Sequence, residues 1–238
     1  MDDIVKNINE IINLHKNANY DQAQNKLNIL LFNNVDNPDL YNLQGIIYRS
    51  QRDYHNSLNS FNNAILIDKK NPTYFNNRAN VYRDLGNIKK AENDYKNALK
   101  IEPNYFDAII NKIKLKQEEG FYKETDELCK RAIEINKKRS EGYTLLGISQ
   151  LNQKKYNSAI ENFEKSQNIK FDIIVDHQLA ILKRKEVEST PISYIEQTFD
   201  SFSKNFDEHL LNNRHLWLRS QKMVASLRTS GTSPFTIR

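Results

Sequence analysis

A four-residue pattern recurs along this chain at an unvarying interval. Tyr20-Asp21-Gln22-Ala23, Tyr54-His55-Asn56-Ser57, Ile88-Lys89-Lys90-Ala91, Tyr122-Lys123-Glu124-Thr125 and Tyr156-Asn157-Ser158-Ala159 follow one another every 34 residues with no insertion. A period of this length is two helices and their turns. Such a unit cannot bury its own apolar face, so neighbouring units have to cover it. Five units result, 4–37, 38–71, 72–105, 106–139 and 140–173.

Other slots keep the same phase. The eighth residue of units two to five is Gly45, Ala79, Ile113 and Gly147, small in three of the four. The twenty-fourth is Leu27, Phe61, Tyr95, Cys129 and Phe163, mostly large. The twenty-seventh is Leu30, Ala64, Ala98, Ala132 and Ser166, mostly small again. Alternation of large and small is what interdigitating helices require, and Gly147→Leu is expected to disturb the packing. Each unit divides into two helix-length segments. Gly86 and Gly120 stand at the turn between them in two units, where a helix C-cap needs a left-handed residue. Pro38, Pro72 and Pro103 stand where one unit hands over to the next. With 6 glycines and 5 prolines in 238 residues, and 38% apolar residues, the chain reads as all-α with a thin core.

These slots resemble the tetratricopeptide repeat family. The third unit carries the signature most fully, in Phe75, Ala79, Tyr82, Leu85-Gly86, Ala91, Tyr95, Ala98 and Pro103. The first unit departs from it, with Ile11 at the eighth slot and no aromatic in the first helix. The fourth departs with Ile113, Lys116, Thr125 and Cys129. The resemblance implies a right-handed superhelical solenoid of five helical hairpins. It also implies a concave groove, lined by the first helix of each unit, that binds extended peptides or helices. The candidate groove residues are Asn42, Arg49, Asn76, Asn77, Asn80, Arg83, Asn111 and Lys114, with Asn9, Ile46, Ile110, Thr144, Ile148 and Leu151 beside them. Asn76, Asn77 and Asn80 share one helix face, and Arg83 continues it.

An asparagine amide both donates and accepts, so it can grip a peptide backbone without reading side chains. Asn9, Asn77 and Asn111 hold one slot in three units, with Leu43 and Leu145 at the others. This looks like the asparagine ladder of the arrays in nucleocytoplasmic O-linked glycosyltransferases. Asn77→Ala with Asn111→Ala is therefore expected to weaken partner binding and leave helicity unchanged. The chaperone-binding subclass uses a lysine, asparagine and arginine clamp whose spacing Arg49, Asn80 and Arg83 do not reproduce.

After the repeats, 174–188 has helical apolar periodicity and reads as a capping helix. A polar linker ends at Thr190-Pro191. An amphipathic helix over 189–212 follows, with the aromatics Tyr194, Phe199, Phe202 and Phe206 on one stripe as a docking surface. The run from Asp176-His177-Gln178-Leu179 through Tyr194-Ile195-Glu196-Gln197 to Phe206-Asp207-Glu208-His209-Leu210 resembles the junction in bacterial tetratricopeptide-linked class I methyltransferases. The catalytic domain that follows in that family is absent. A basic tail, 213–238, closes the chain with no acidic residue.

Chemistry of its own is not expected. None of the 6 glycines forms a G-x-G turn, so no Rossmann, P-loop or S-adenosylmethionine site is readable. No HExxH occurs, and His209 and His215 are poorly spaced for a metal pair. Cys129 is the lone cysteine, at a core slot, so it reads as an inert thiol. The expectation is therefore a non-enzyme with no cofactor and no metal. The N-terminus carries no apolar leader, and no segment has the roughly 18 apolar residues of a membrane span. That reading is cytoplasmic and without membrane contact. The net charge of +5 is weak for nucleic-acid binding. Three functions remain in order: a scaffold that holds a protein or peptide in its groove, the substrate-recruiting part of a methyltransferase whose catalytic domain is separate, and, last, a nucleic-acid binder through its basic tail.

Overall fold

The computed structural model describes residues 2–183, and these are all helix and turn. Eleven helices follow in order among them: α1 (Asp2–Lys16), α2 (Tyr20–Phe32), α3 (Pro38–Ser50), α4 (Tyr54–Ile67), α5 (Pro72–Asp84), α6 (Ile88–Ile101), α7 (Phe106–Glu118), α8 (Tyr122–Ile135), α9 (Glu141–Asn152), α10 (Tyr156–Ile169) and α11 (Ile173–Leu182). The architecture is an all-α helical repeat. Each second helix of a hairpin begins on the first residue of the recurring pattern, at 20, 54, 88, 122 and 156. The docking aromatics Tyr194, Phe199, Phe202 and Phe206 and the basic tail lie outside the described residues.

Local chemistry sets the helix starts. Asn37 and Asn71 accept from the backbone N–H of Asp39 and Thr73, and a proline follows each at the first helical position. Asp53, Asn87 and Asp172 cap α4, α6 and α11 in the same manner. Each cap satisfies an orphan donor and contributes about 1 kcal/mol. Part of the asparagine richness is thus spent on helix ends.

The hairpin turns obey one geometry. Ala18, Arg52, Gly86, Gly120 and Lys154 all have positive φ, from 58° to 84°. Within each turn the same two backbone bonds recur. Gly86 N–H donates to the Arg83 carbonyl and Asn87 N–H to that of Tyr82, and Ala18 with Asn19 bond to His15 and Leu14 alike. This is the helix stop expected of glycine, yet only two of the five turns have one. A side chain in this conformation costs about 1–2 kcal/mol. Ala18 is exposed and has little side chain to lose. We expect Ala18→Gly to raise stability by about 0.5–1 kcal/mol, after the entropy glycine adds to the unfolded chain, read as a higher urea midpoint.

The helices form two compact units divided between Asn136 and Lys137. In the first, α1 to α8 pack as four successive hairpins, and α2, α4 and α6 also touch the first helix of the next hairpin. The core is a string of small clusters. Ile11 of α1, Leu27 and Leu31 of α2, and Leu40 and Ile47 of α3 form one. Ala79 of α5, Ala91 and Tyr95 of α6, and Leu115 of α7 form another. Burial shared across three consecutive helices is what makes a lone hairpin unstable.

In the second unit, α9 pairs with α10 and α10 with α11. Val175 and Leu179 of α11 pack on Ala159 and Phe163 of α10. The helix ends at Leu182, and of the 174–188 read from periodicity the part after 183 lies outside the described residues. The apolar run gives way there to Lys183, whose N–H caps it on the Ile181 and Leu179 carbonyls.

The small eighth slot works by contact. A Cβ built on Gly45 would lie 2.7 Å from the Phe61 ring, and one on Gly147 would lie 2.6 Å from that of Phe163. Both rings are buried. Glycine lets the ring of the second helix lie directly on the backbone of the first.

Candidate partner-binding face

The first helices of the first unit are joined to one another by polar side chains one helix position out of phase with the repeat. Asn77 Nδ2 donates to Asn42 Oδ1 at 2.9 Å, and Asn111 Nδ2 donates to Asn76 Oδ1 at 3.0 Å, each pair 35 residues apart. Asn76 Nδ2 closes the gap to Asn77 Oδ1 at 3.4 Å. Four amides therefore run in one direction, Asn111 to Asn76 to Asn77 to Asn42, across α7, α5 and α3. Asn76 is only 4% exposed. It serves as an internal link and does not present its amide to solvent. Asn42, Asn77 and Asn111 are partly exposed. Asn42 Oδ1 and Asn111 Nδ2 are used within the relay, so the relay ends in a donor, Asn42 Nδ2, and an acceptor, Asn111 Oδ1.

Two further rungs repeat the same offset. Arg49 Nε donates to Asp84 Oδ2 at 2.6 Å, and His15 Nε2 pairs with the Ser50 hydroxyl at 2.8 Å. Nearer the helix starts, the Tyr74 hydroxyl donates to Asp39 at 2.6 Å. Burial, and then the Asp39 carboxylate that accepts its hydrogen bond, push the Tyr74 phenol well above its ordinary range. Asn80 uses its Oδ1 to accept from the Tyr95 hydroxyl at 2.7 Å, which points its NH2 elsewhere. Tyr95 is pushed up to about 12, first by burial, with Arg83 and Arg49 pulling it down and Asp84 and Glu118 pushing it up. Four charged side chains thus act on one phenol at the middle of this face. Lys114 is exposed on α7.

Arg83 is the exception among them. Its Nη1 is buried and has no hydrogen-bond partner. The residue 35 further on, where Arg49 finds Asp84, is Glu118, and it is exposed. Sequence reasoning named Arg49, Asn80 and Arg83 for this face but missed Asp84, Tyr95 and Glu118. An offset of one repeat plus one residue is the signal that finds Asp84 and Glu118; Tyr95 reaches the face from the second helix of its own hairpin.

Among the described residues no group of three or more histidines, cysteines or carboxylates is placed to hold a metal ion. Burial pushes the Cys129 thiol up to about 12, the opposite of an activated nucleophile. No helix among the described residues is long and apolar enough to cross a membrane.

Family models named tetratricopeptide repeat match residues 38–71, 72–105 and 140–173. Over these three segments the chain is similar to tetratricopeptide repeats. Solved structures that share the fold include a protein of Pseudomonas aeruginosa described under the name pilF, with TM-score 0.67 and 12% identity over 87% of this chain and 96% of that one. A thermophilic tetratricopeptide protein of Thermus thermophilus has TM-score 0.63 and 14% identity, over 75% of this chain and 98% of that one. YrrB, described as a tetratricopeptide protein with an unusual peptide-binding site, has TM-score 0.54 and 18% identity over 75% and 90%. At these identities the likeness is one of fold. None of the curated proteins matches the chain in sequence. The methyltransferase-junction resemblance read from Asp176 onward finds no support in these matches, and within it only Asp176 to Lys183 is described, as the body and cap of α11.

Proposed function

We propose that this chain is an interaction scaffold whose first-helix face, over α3, α5 and α7, holds a peptide or partner helix. Tetratricopeptide proteins bind protein partners, and YrrB is described by its peptide-binding site. The observation that carries the reading here is the amide relay, which leaves a donor at Asn42 and an acceptor at Asn111. A peptide backbone offers an acceptor and a donor in the same way, so an extended segment across the face satisfies both. Asn80 adds an NH2 whose direction the Tyr95 hydroxyl sets, and Lys114 adds an exposed cation.

The relay makes Asn77→Ala with Asn111→Ala a poor test. Losing Asn111 strips the buried Asn76 of its donor, which costs about 1–3 kcal/mol and confounds binding with stability. Asn80→Asp is cleaner, because a carboxylate oxygen still accepts from the Tyr95 hydroxyl while the outward donor disappears. We expect Asn80→Asp combined with Lys114→Glu to reduce capture of the chain's partner from native lysate by about tenfold or more, with the circular-dichroism spectrum unchanged. Undiminished capture would move the interaction off this face.

A further inference from the structure

We propose that Arg83 is the specificity-determining residue of this face and that it takes an acidic side chain, aspartate or glutamate, from within the bound peptide. The inference rests on the peptide-binding reading above and names what that peptide must carry.

In the first two repeats the residue at the twelfth slot pairs with the residue 35 further on. His15 pairs with Ser50, and Arg49 pairs with Asp84. By the same geometry Arg83 should pair with Glu118, and it does not. Arg83 Nη1 is instead buried without an acceptor. A guanidinium carries five donors and is charged at every accessible pH, so a buried nitrogen left unpaired is a standing free-energy cost. The structure offers nothing within the fold that repays it.

The surroundings of Arg83 favour a carboxylate as its partner. The Arg49–Asp84 pair one rung away shows that a carboxylate fits between two such slots, and its side chains are 35% and 20% exposed, so the rung lies at the surface. Arg83 itself is only partly buried, and its long side chain can turn the guanidinium outward. Asn80 lies one turn before Arg83 on the same helix face, and its free NH2 supplies a second donor beside the guanidinium. Charge-assisted bonds from both are the strong class of hydrogen bond, and a planar carboxylate matches the fork of an arginine. Glu118 then has a role as internal competitor. It carries the right charge at the right register, and any ligand carboxylate must outcompete it.

The test uses the full chain and a library of random dodecapeptides displayed with their C-termini fused to the carrier, so that every carboxylate offered is a side chain. Wild type is expected to enrich aspartate or glutamate at one position. Arg83→Gln is expected to lose that preference while keeping enrichment elsewhere. By fluorescence anisotropy, a selected peptide with an amidated C-terminus should bind Arg83→Gln at least about tenfold more weakly. Glu118→Gln should bind it more tightly than wild type. Without peptide, Arg83→Met should hold or raise the thermal midpoint, because it removes an unsatisfied buried donor. Enrichment of peptides with no acidic preference would overturn this inference and leave the peptide-binding reading standing. Failure to select any peptide would overturn both. Acidic preference seen only when a second library exposes free C-termini would assign the site to a terminal carboxylate and sink the side-chain assignment. A marked fall in the midpoint of ligand-free Arg83→Met would show that the guanidinium is satisfied inside the fold, and would also overturn it.

Discussion

Gly45→Ile is expected to destabilise the first compact unit by about 3 kcal/mol, the upper end of an overpacked core substitution. The added Cβ alone would stand 2.7 Å from the Phe61 ring, well inside contact distance. Phe61 is fully buried, so its ring has no open space to swing into. Phe61→Cys alone is expected to cost a similar amount through the cavity it leaves. The two together should cost far less than their sum, because the chain already contains that solution. In the fourth repeat the same two slots hold Ile113 and Cys129, both buried. The others are Ile11 with Leu27, Ala79 with Tyr95 and Gly147 with Phe163, so the volume moves between the two helices while the pair as a whole fills one space. A double-mutant cycle read by urea denaturation should give a coupling of about 2 kcal/mol or more in favour of the pair. Additive losses would mean that the fourth repeat accommodates its pair by a backbone shift that the second repeat cannot make.

This exchange bears on what was legible in the residues. The interval of 34, the second-helix starts and the small eighth slot all follow from the one-dimensional pattern, because each repeat meets the same neighbours in the same way. Ile113 looked like a departure from the family slot when read alone, and it is half of a matched pair. The turns were legible only where glycine marks them. Ala18, Arg52 and Lys154 adopt the same left-handed conformation because the hairpin on either side over-determines it.

The candidate face was legible as a set of polar residues but not as a network. Asn76 and Asn77 were placed together by helical periodicity, yet one is buried as a link and the other spans to the preceding repeat. Which amide bonds which depends on the sideways offset between neighbouring first helices. A stagger of one residue beyond the repeat is a property of packing, and residue identity carries no direct mark of it. Residues outside the described span, among them Tyr194 and Phe202, add nothing to this comparison.

The same logic of paired slots gives the other large effect, at Asp94. Its carboxylate is 3% exposed and receives two bonds from Arg78, Nε to Oδ2 at 2.7 Å and Nη2 to Oδ1 at 2.8 Å. Arg78 also donates to Asn62 at 2.7 Å, which ties α5 to both α6 and α4. Asp94→Ala leaves that guanidinium, 19% exposed, without its counter-charge. A loss of about 3–5 kcal/mol is expected in the urea-derived stability of the first unit. In the first repeat the same slots hold Glu10 and Lys26, 2.9 Å apart but 51% and 45% exposed, and their removal should cost well under about 1 kcal/mol. Burial, not the presence of an ion pair, decides the difference. In the fourth repeat the slots hold Lys112 and Leu128, and in the fifth Leu146 and Asn162, so the fold does not require charge there. Arg78→Met with Asp94→Leu should therefore recover most of the loss, since the new side chains can pack beside Phe75 and Tyr82, whose rings now lie 5.7 and 6.0 Å from the guanidinium. A double variant as unstable as Asp94→Ala alone would show that the pair, with its bond to Asn62, sets the register between α4, α5 and α6 and does more than neutralise itself.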